Sequence, residues 1–231
     1  MGPIRIIPIV LFNGAQAVKT RRFSCPRNVG SVVNVARVYA GRSVDELVFL
    51  DIRQERHSIG PDFDTVTLFA KEMNCPFSVG GGIRTVQDAV RLLDCGADRV
   101  VVKRDGAELV PAIANEIGRQ AVIYACDLYG PDCEKQLITA ANMGAGEVLV
   151  QSVDRDGTME GFDLRALLIA DRIFTKTPFI WASGAGSHDD FIEAAWSGAQ
   201  AIAASSAFHF TAITPDSAKN ALREDGFKVR Q

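Results

Sequence analysis

None of the five cysteines of this chain (Cys25, Cys75, Cys95, Cys126 and Cys133) stands at CxxC spacing from another, which removes one familiar signature of a zinc or redox-disulfide site. They fall mostly in apolar strands or at helix ends and are expected to be the reduced thiols of a cytosolic protein. No signal-like segment and no apolar run of membrane-spanning length occurs, so the sequence predicts a soluble, cytoplasmic protein with no membrane partner. A net charge of −3, with no basic tract carrying interleaved aromatics, gives no reason to expect nucleic acid. No Pro/Gly/Ser-rich linker breaks the chain, and residues 1–231 are expected to form one domain. Neither a metal nor an organic cofactor is expected.

What the chain does have is an internal repeat. Pro76-Phe77-Ser78-Val79-Gly80-Gly81-Gly82-Ile83 lines up with Pro178-Phe179-Ile180-Trp181-Ala182-Ser183-Gly184-Ala185 at an offset of 102, without a gap down to Gly96-Ala97 against Gly198-Ala199. Just upstream, Asp45–Leu50 matches Gly146–Gln151 at an offset of 101. The identities sit at glycines, prolines and strand edges, where backbone geometry is hardest to substitute. Two halves of strand, glycine loop and helix point to a barrel closed from two half-barrels, with two related anion sites across one mouth.

Eight apolar segments read as strands: Arg5–Leu11, Glu46–Asp51, Pro76–Gly80, Arg99–Lys103, Ala121–Asp127, Glu147–Ser152, Phe179–Ala182 and Ala201–Ser205. They are nearly continuous runs rather than alternating ones, as strands buried on both faces are. Between them lie apolar residues at helical spacing, such as Val86, Ala89, Val90 and Leu93, or Phe191, Ile192, Ala195 and Trp196. With 47% hydrophobic residues and 231 positions, near the roughly 250 of an eightfold barrel, the chain predicts an α/β fold, a single (β/α)8 TIM barrel with its chemistry at the C-terminal strand ends.

At those ends, Gly80-Gly81-Gly82 precedes a helix, where bare amides and the helix dipole favour an anion. Ser183-Gly184-Ala185-Gly186 is its repeat partner, and the next strands end at matched donors, Lys103-Arg104 and Ser205-Ser206. Tight βα turns need glycine in any case, but two matched loops beside two matched donor pairs favour phosphate binding at Gly82, Lys103 and Arg104, and at Gly157, Gly184, Gly186, Ser205 and Ser206. Asp51, Asp127 and the acids of Asp154-Arg155-Asp156-Gly157-Thr158 close the second, fifth and sixth strands. They are candidates for general acid–base work or, individually, for helix capping.

These residues carry a family resemblance. Arg5-Ile6-Ile7, Val18-Lys19, Asp45–Ile52, Val79–Ile83, Gly144–Glu147, Ser152–Thr158, Ala182–Gly186 and Phe208-His209-Phe210 resemble the cyclase subunit of imidazole glycerol phosphate synthase, essentially end to end. The resemblance implies a histidine-pathway barrel that takes ammonia from a glutaminase subunit and adds it to a phosphorylated small-molecule substrate. It assigns catalytic or active-site places to Lys19, Asp51, Asp127 and Asp156, an ammonia gate to Arg5, Glu46, Arg99 and Glu147, and a place at the glutaminase interface to Asp98. An ordinary salt-bridged barrel plug is the other reading of the four charges.

The departures are equally specific. The acid expected at the end of the first strand falls on Leu11, which cannot transfer a proton. Lys103 and Arg104 stand where small polar residues are usual, and Leu128–Lys135 runs almost directly into the fifth helix, where the family has a longer hairpin-bearing loop. These changes, with Pro61-Asp62-Phe63 and Thr158–Leu164, resemble a paralogous branch that works with a glutaminase and an amidotransferase to turn an acetamido group of a nucleotide-sugar into an acetamidino group. Three readings follow: a cyclase-type enzyme, a non-cyclising ammonia conduit, and a sugar-phosphate isomerase of a neighbouring histidine-pathway family. The last also needs an acid where Leu11 stands.

Overall fold

The computed structural model describes residues 2–42, 44–130 and 132–230; the ends of the expected domain, Met1 and Gln231, and Pro131 of the short segment after Asp127 lie outside the described residues. Among the described residues ten strands form one sheet: β1 (Arg5–Phe12), β2 (Ala17–Arg21), β3 (Ser24–Gly30), β4 (Leu47–Asp51), β5 (Phe77–Gly80), β6 (Arg99–Val102), β7 (Val122–Leu128), β8 (Glu147–Ser152), β9 (Phe179–Ala182) and β10 (Ala201–Ala204). Eight of them run parallel in the order β1-β4-β5-β6-β7-β8-β9-β10, and β10 pairs with β1 to close the barrel. The predicted strands are found with bounds shifted by at most one residue.

Burial explains why these segments are strands. Side chains of alternate residues fill the barrel or pack against the surrounding helices. The interior holds Ile7, Ile9, Leu11, Val48, Leu50, Val101, Ile123, Leu149 and Ile180, with alanines at 125, 182, 201 and 203. The outer layer holds the alternate set, among them Ile6, Phe49, Val79, Trp181 and Ile202, against helix residues such as Phe69, Ala89, Leu92 and Phe191. The helix Val86–Asp94 therefore buries Ala89 and Leu92, with Val86, Val90 and Leu93 only partly covered. Trp196 ends its helix 70% exposed, its ring set edge-on against Phe227.

The repeat extends to hydrogen bonds. Thr85 and Asp88 form a capping box at the start of Val86–Asp94, and Ser187 and Asp190 form the same box at His188–Trp196, again 102 residues on. Each aspartate also takes the amide of the residue before the cap, Arg84 at 3.0 Å and Gly186 at 2.8 Å.

Strands β2 and β3 make a hairpin that leaves the top of β1 and was not expected from the sequence. β2 runs back antiparallel to β1, with Leu11 opposite Val18, after a turn in which Asn13 Oδ1 accepts the amides of Ala15 and Gln16. At the other end of the barrel, Ile4 pairs with Val229, so residues near both ends of the described chain lie side by side. Below it, Lys219 reaches 2.7 Å to the buried Asp45, which also accepts the amide of Ile6.

Candidate functional site

Two adjoining cavities open among the C-terminal strand ends. The larger, of about 320 Å³, is lined by Leu11, Lys19, Phe23, Gln151, Asp156, Gly157, Gly184, Ser205 and Ser206, among others. The smaller, of about 230 Å³, is lined by Asp51, Gly80–Gly82, Arg84 and Asp105, with Arg56 and Lys103 common to both.

Of the five residues expected at the second phosphate site, Gly157, Gly184, Ser205 and Ser206 line the larger cavity. The hydroxyls of Ser205 and Ser206 are buried there without a hydrogen-bond partner among the described residues. A buried donor left unpaired is costly, so such hydroxyls are suited to a bound oxyanion. Gly184 (φ 121°) could not carry a side chain, because a Cβ would overlap the Gly161 carbonyl, and Gly157 (φ 68°) lets the loop after β8 press against Thr20. Gly186 is not among the residues lining this cavity, and its amide is given to Asp190.

At the first site Gly82 and Lys103 line the cavity, but Arg104 does not. Arg104 begins a 3-10 turn and is exposed, acting instead on the side of Tyr124 and Tyr129. Lys103 donates to Asp127 Oδ2 at 2.9 Å, rather than to Asp51 or Asp105, and its ammonium lies 4.9 Å from the ring centre of Phe23.

The strand-end acids have different employments. Asp51 accepts the amide of Arg53 at 2.9 Å and its Nη2 at 2.7 Å, and the same guanidinium continues to the Gly60 carbonyl; the pair fastens the loop over the smaller cavity. Asp156 accepts Lys19, Thr20 Oγ1 at 2.9 Å and the Phe23 amide at 3.2 Å, so it pins the β2–β3 hairpin to the mouth. Burial depresses the Lys19 ammonium below the ordinary lysine range, although Asp156 pulls the other way. The hairpin tip is strained, with Arg22 and Phe23 at positive φ, and these bonds hold it there. Asp127 has Lys103 on one oxygen, and its other oxygen is buried without a partner among the described residues. Leu11 is packed with Ile9, Val18 and Leu50, 7% exposed.

The opposite end carries a closed ring of charge. Arg5 donates to Glu46 at 2.8 Å and to Glu147; Arg99 donates to Glu147 and to Glu46. Each guanidinium fork thus bridges both carboxylates across the barrel floor. Arg230 adds a further contact to Glu46 at 3.3 Å. Burial works against the Arg5 charge, but Glu147 and Glu46 outweigh it and hold the guanidinium above its ordinary value. Asp98 is exposed, and its Oδ2 accepts the Phe77 amide at 2.9 Å at the start of β5, on the ring's face of the barrel.

Sequence reasoning missed Gln151 and Phe23. Gln151 points into the barrel from β8, 4% exposed, with Oε1 buried and unpartnered among the described residues. A glutamine following the apolar run Val148–Val150 was the available signal. Among the described residues there is no group of His, Cys and acids placed to hold a metal ion, and no helix long and apolar enough to cross a membrane.

Comparison with known proteins gives a consistent result. The profile of the family described as "Histidine biosynthesis protein" matches residues 5–214. The chain is 34% identical over 253 aligned positions to the imidazole glycerol phosphate synthase subunit HisF of Beutenbergia cavernae and, equally, to that of Thermobifida fusca, covering 98% of both partners in each alignment. It is 35% identical over 248 positions to that of Streptomyces coelicolor, with the same coverage. Alignments longer than the 231-residue chain mean that these relatives carry segments it lacks.

Proposed function

The chain belongs to the histidine biosynthesis protein family, and we propose that within it the barrel is a cyclase-type subunit of a glutamine amidotransferase complex. In this reading a glutaminase subunit docks on the face that carries Asp98 and supplies ammonia through the floor. A phosphorylated substrate lies across the mouth, one phosphate against Gly157, Gly184, Ser205 and Ser206 and the other against Gly82 and Lys103. The observation that supports it most is the ring of Arg5, Glu46, Arg99 and Glu147. Such a ring is costly to bury and does nothing for a mouth on the opposite face unless its pairs part to pass something small. The apolar interior above it suits neutral ammonia, since a buried ammonium lacks the water it needs.

Of the acid–base pair that the resemblance implies, Asp127 is present and Leu11 supplies no proton-transfer group. Loss of one member of an acid–base pair costs on the order of 10²–10⁴ in rate, so cyclisation of the histidine-pathway substrate is slow or absent. The same two residues favour a second reading, in which the barrel is a non-cyclising conduit for acetamidino-sugar synthesis. Leu11 is apolar and the Asp127 carboxylate is held by Lys103, so both halves of the pair are out of play at rest.

Co-purification with a glutaminase encoded nearby tests the common part of both readings. Asp98→Lys should weaken the complex, while Asp98→Asn, which keeps an acceptor for the Phe77 amide, should weaken it less. Glu46→Ala should uncouple glutamine hydrolysis from ammonia delivery without breaking the complex. If no such glutaminase binds, a free-standing phosphate-binding barrel is the better account. Turnover with ammonium salt then separates cyclase from conduit.

A further inference from the structure

The three acids that close strands at the mouth are held with very different firmness. Asp51 is clamped by the amide and guanidinium of Arg53, and Asp156 by Lys19, Thr20 and the Phe23 amide. Asp127 receives Lys103 Nζ on Oδ2 and nothing on its buried Oδ1 among the described residues. Its side chain is 17% exposed and that of Lys103 33%. Lys103 lines both cavities, whereas Asp127 lines neither. The carboxylate therefore meets the mouth only through this lysine.

We propose that Lys103 is a ligand-operated positioning residue: a phosphoryl dianion entering the cavity at Gly80–Gly82 takes its ammonium from Asp127 and so frees that carboxylate only when the phosphate is in place. A partly exposed ion pair made by one hydrogen bond is weak. The amides of Arg84 and Thr85 before the helix Val86–Asp94 are taken by Asp88, so the pull at Gly80–Gly82 is that of a dianion for a cation, which a single carboxylate oxygen does not match. Lysine is suited to the exchange, since its ammonium is a point charge on a flexible stem, where an arginine fork would fix one geometry. The Phe23 ring, beside the ammonium in the resting state, lines the larger cavity and gives the moving charge a favourable surface. The Asp127 charge is felt by Tyr124, Cys126 and Tyr129, and that of Arg104 by both tyrosines; among the described residues none of them is a second hydrogen-bond donor to Asp127.

The proposal rests on the phosphate placement given above and is independent of any glutaminase. Linkage is reciprocal, so affinity lost in prying Lys103 from Asp127 must return when the Asp127 charge is removed. Inorganic sulfate, which remains a dianion throughout the useful pH range, serves as the probe, at constant ionic strength, with the Gly82 amide resonance reporting occupancy. With Lys103 present, Asp127→Asn should tighten sulfate binding roughly three- to tenfold; in a Lys103→Met background the same change should give about twofold or less, from relieved repulsion alone. Loss of measurable binding in Lys103→Met, beside tighter binding in Asp127→Asn, supports the switch equally. Crystals of the wild type in sulfate should show Lys103 on the anion and parted from Asp127. An Asp127→Asn effect that is absent, or equal in both backgrounds, overturns the switch, as does a sulfate at Gly82 with the Lys103–Asp127 bond intact. A Gly82 amide that ignores sulfate overturns the first phosphate site as well, whereas failure to bind a glutaminase touches only the proposed complex.

Discussion

Replacing Glu147 by glutamine is the most direct test of what the floor ring contributes. Both carboxylate oxygens are in use, Oε1 by Arg5 and Oε2 by Arg99, and the side chain is 5% exposed. A glutamine keeps one acceptor and turns an NH2 group toward the other guanidinium, so two donors face each other and Glu46 alone balances Arg5 and Arg99. Breaking a buried pair typically costs about 3–5 kcal/mol. The two arginines are about a fifth exposed and keep Glu46, which reduces the expectation to about 2–4 kcal/mol. For a chain of this size that is a fall of roughly 5–15 °C in melting temperature, read by calorimetry and by the urea midpoint. The companion variant Arg5→Met/Glu46→Leu/Arg99→Met/Glu147→Leu removes every charge of the ring together with its desolvation cost. It should be as stable as the wild type or more so, with Arg230 turning to water, yet deliver no ammonia from a docked glutaminase. A cost below about 0.5 kcal/mol for Glu147→Gln would refute the bonded ring. Full ammonia delivery through the apolar floor would refute the passage.

Leu11→Asp places a carboxyl in an apolar setting and should cost about 3–4 kcal/mol of stability, while raising turnover of the histidine-pathway substrate with ammonium salt. Equal rates in wild type and variant, with sulfate still bound, would show that a missing acid is not what limits the site. His209 is held neutral by burial, helped by the charges of Lys19 and Arg42, and its value falls to about 4. The unfolded chain takes up this proton first, near its ordinary value of about 6.5, so stability is complete above that pH and is lost as pH falls toward about 4. His209→Phe should flatten that loss by up to about 3 kcal/mol, and urea midpoints at pH 7.5 and 4.5 that fall equally in both proteins would exclude it. Burial raises the Cys126 thiol to about 12 and that of Cys75 to about 11, while Cys25 is exposed on the hairpin. Alkylation at pH 8 should therefore modify Cys25 first, and early labelling of Cys126 in peptide mass spectra would mean that β7 opens.

The eight barrel strands were legible because each is buried on both faces, so composition alone marks them, and the repeat fixed their order. The β2–β3 hairpin was not. β3 (Ser-Cys-Pro-Arg-Asn-Val-Gly) is exposed and carries a proline, and its turn uses positive φ at Arg22 and Phe23, where propensity would ask for glycine. What holds it is Asp156, more than 130 residues away in sequence, and no local pattern encodes that. The site shows the same division. The glycines and serines of the second proposed phosphate site were legible as motifs, but the loss of the Gly186 amide to Asp190 depends on the helix start. The outward turn of Arg104 and the hold of Lys103 on Asp127 depend on where adjacent strands end. The Asp45–Lys219 pair, 174 residues apart, had no signal in the sequence at all.

The pairing of Ile4 with Val229 bears on how the barrel is closed. A short peptide joining these neighbours would make the backbone circular, and reopening it at Gly118, ahead of β7, would give a circular permutant that starts with the second half-barrel. The β10–β1 seam, now covalently continuous, would no longer have to be found by diffusion of chain ends. Closure would pass instead to β6–β7, where Val100, Val101 and Val102 meet Val122, Ile123 and Tyr124. Permuted and natural chains would then share one native geometry while differing in which contacts are local, and their refolding rates would report which seam closes last.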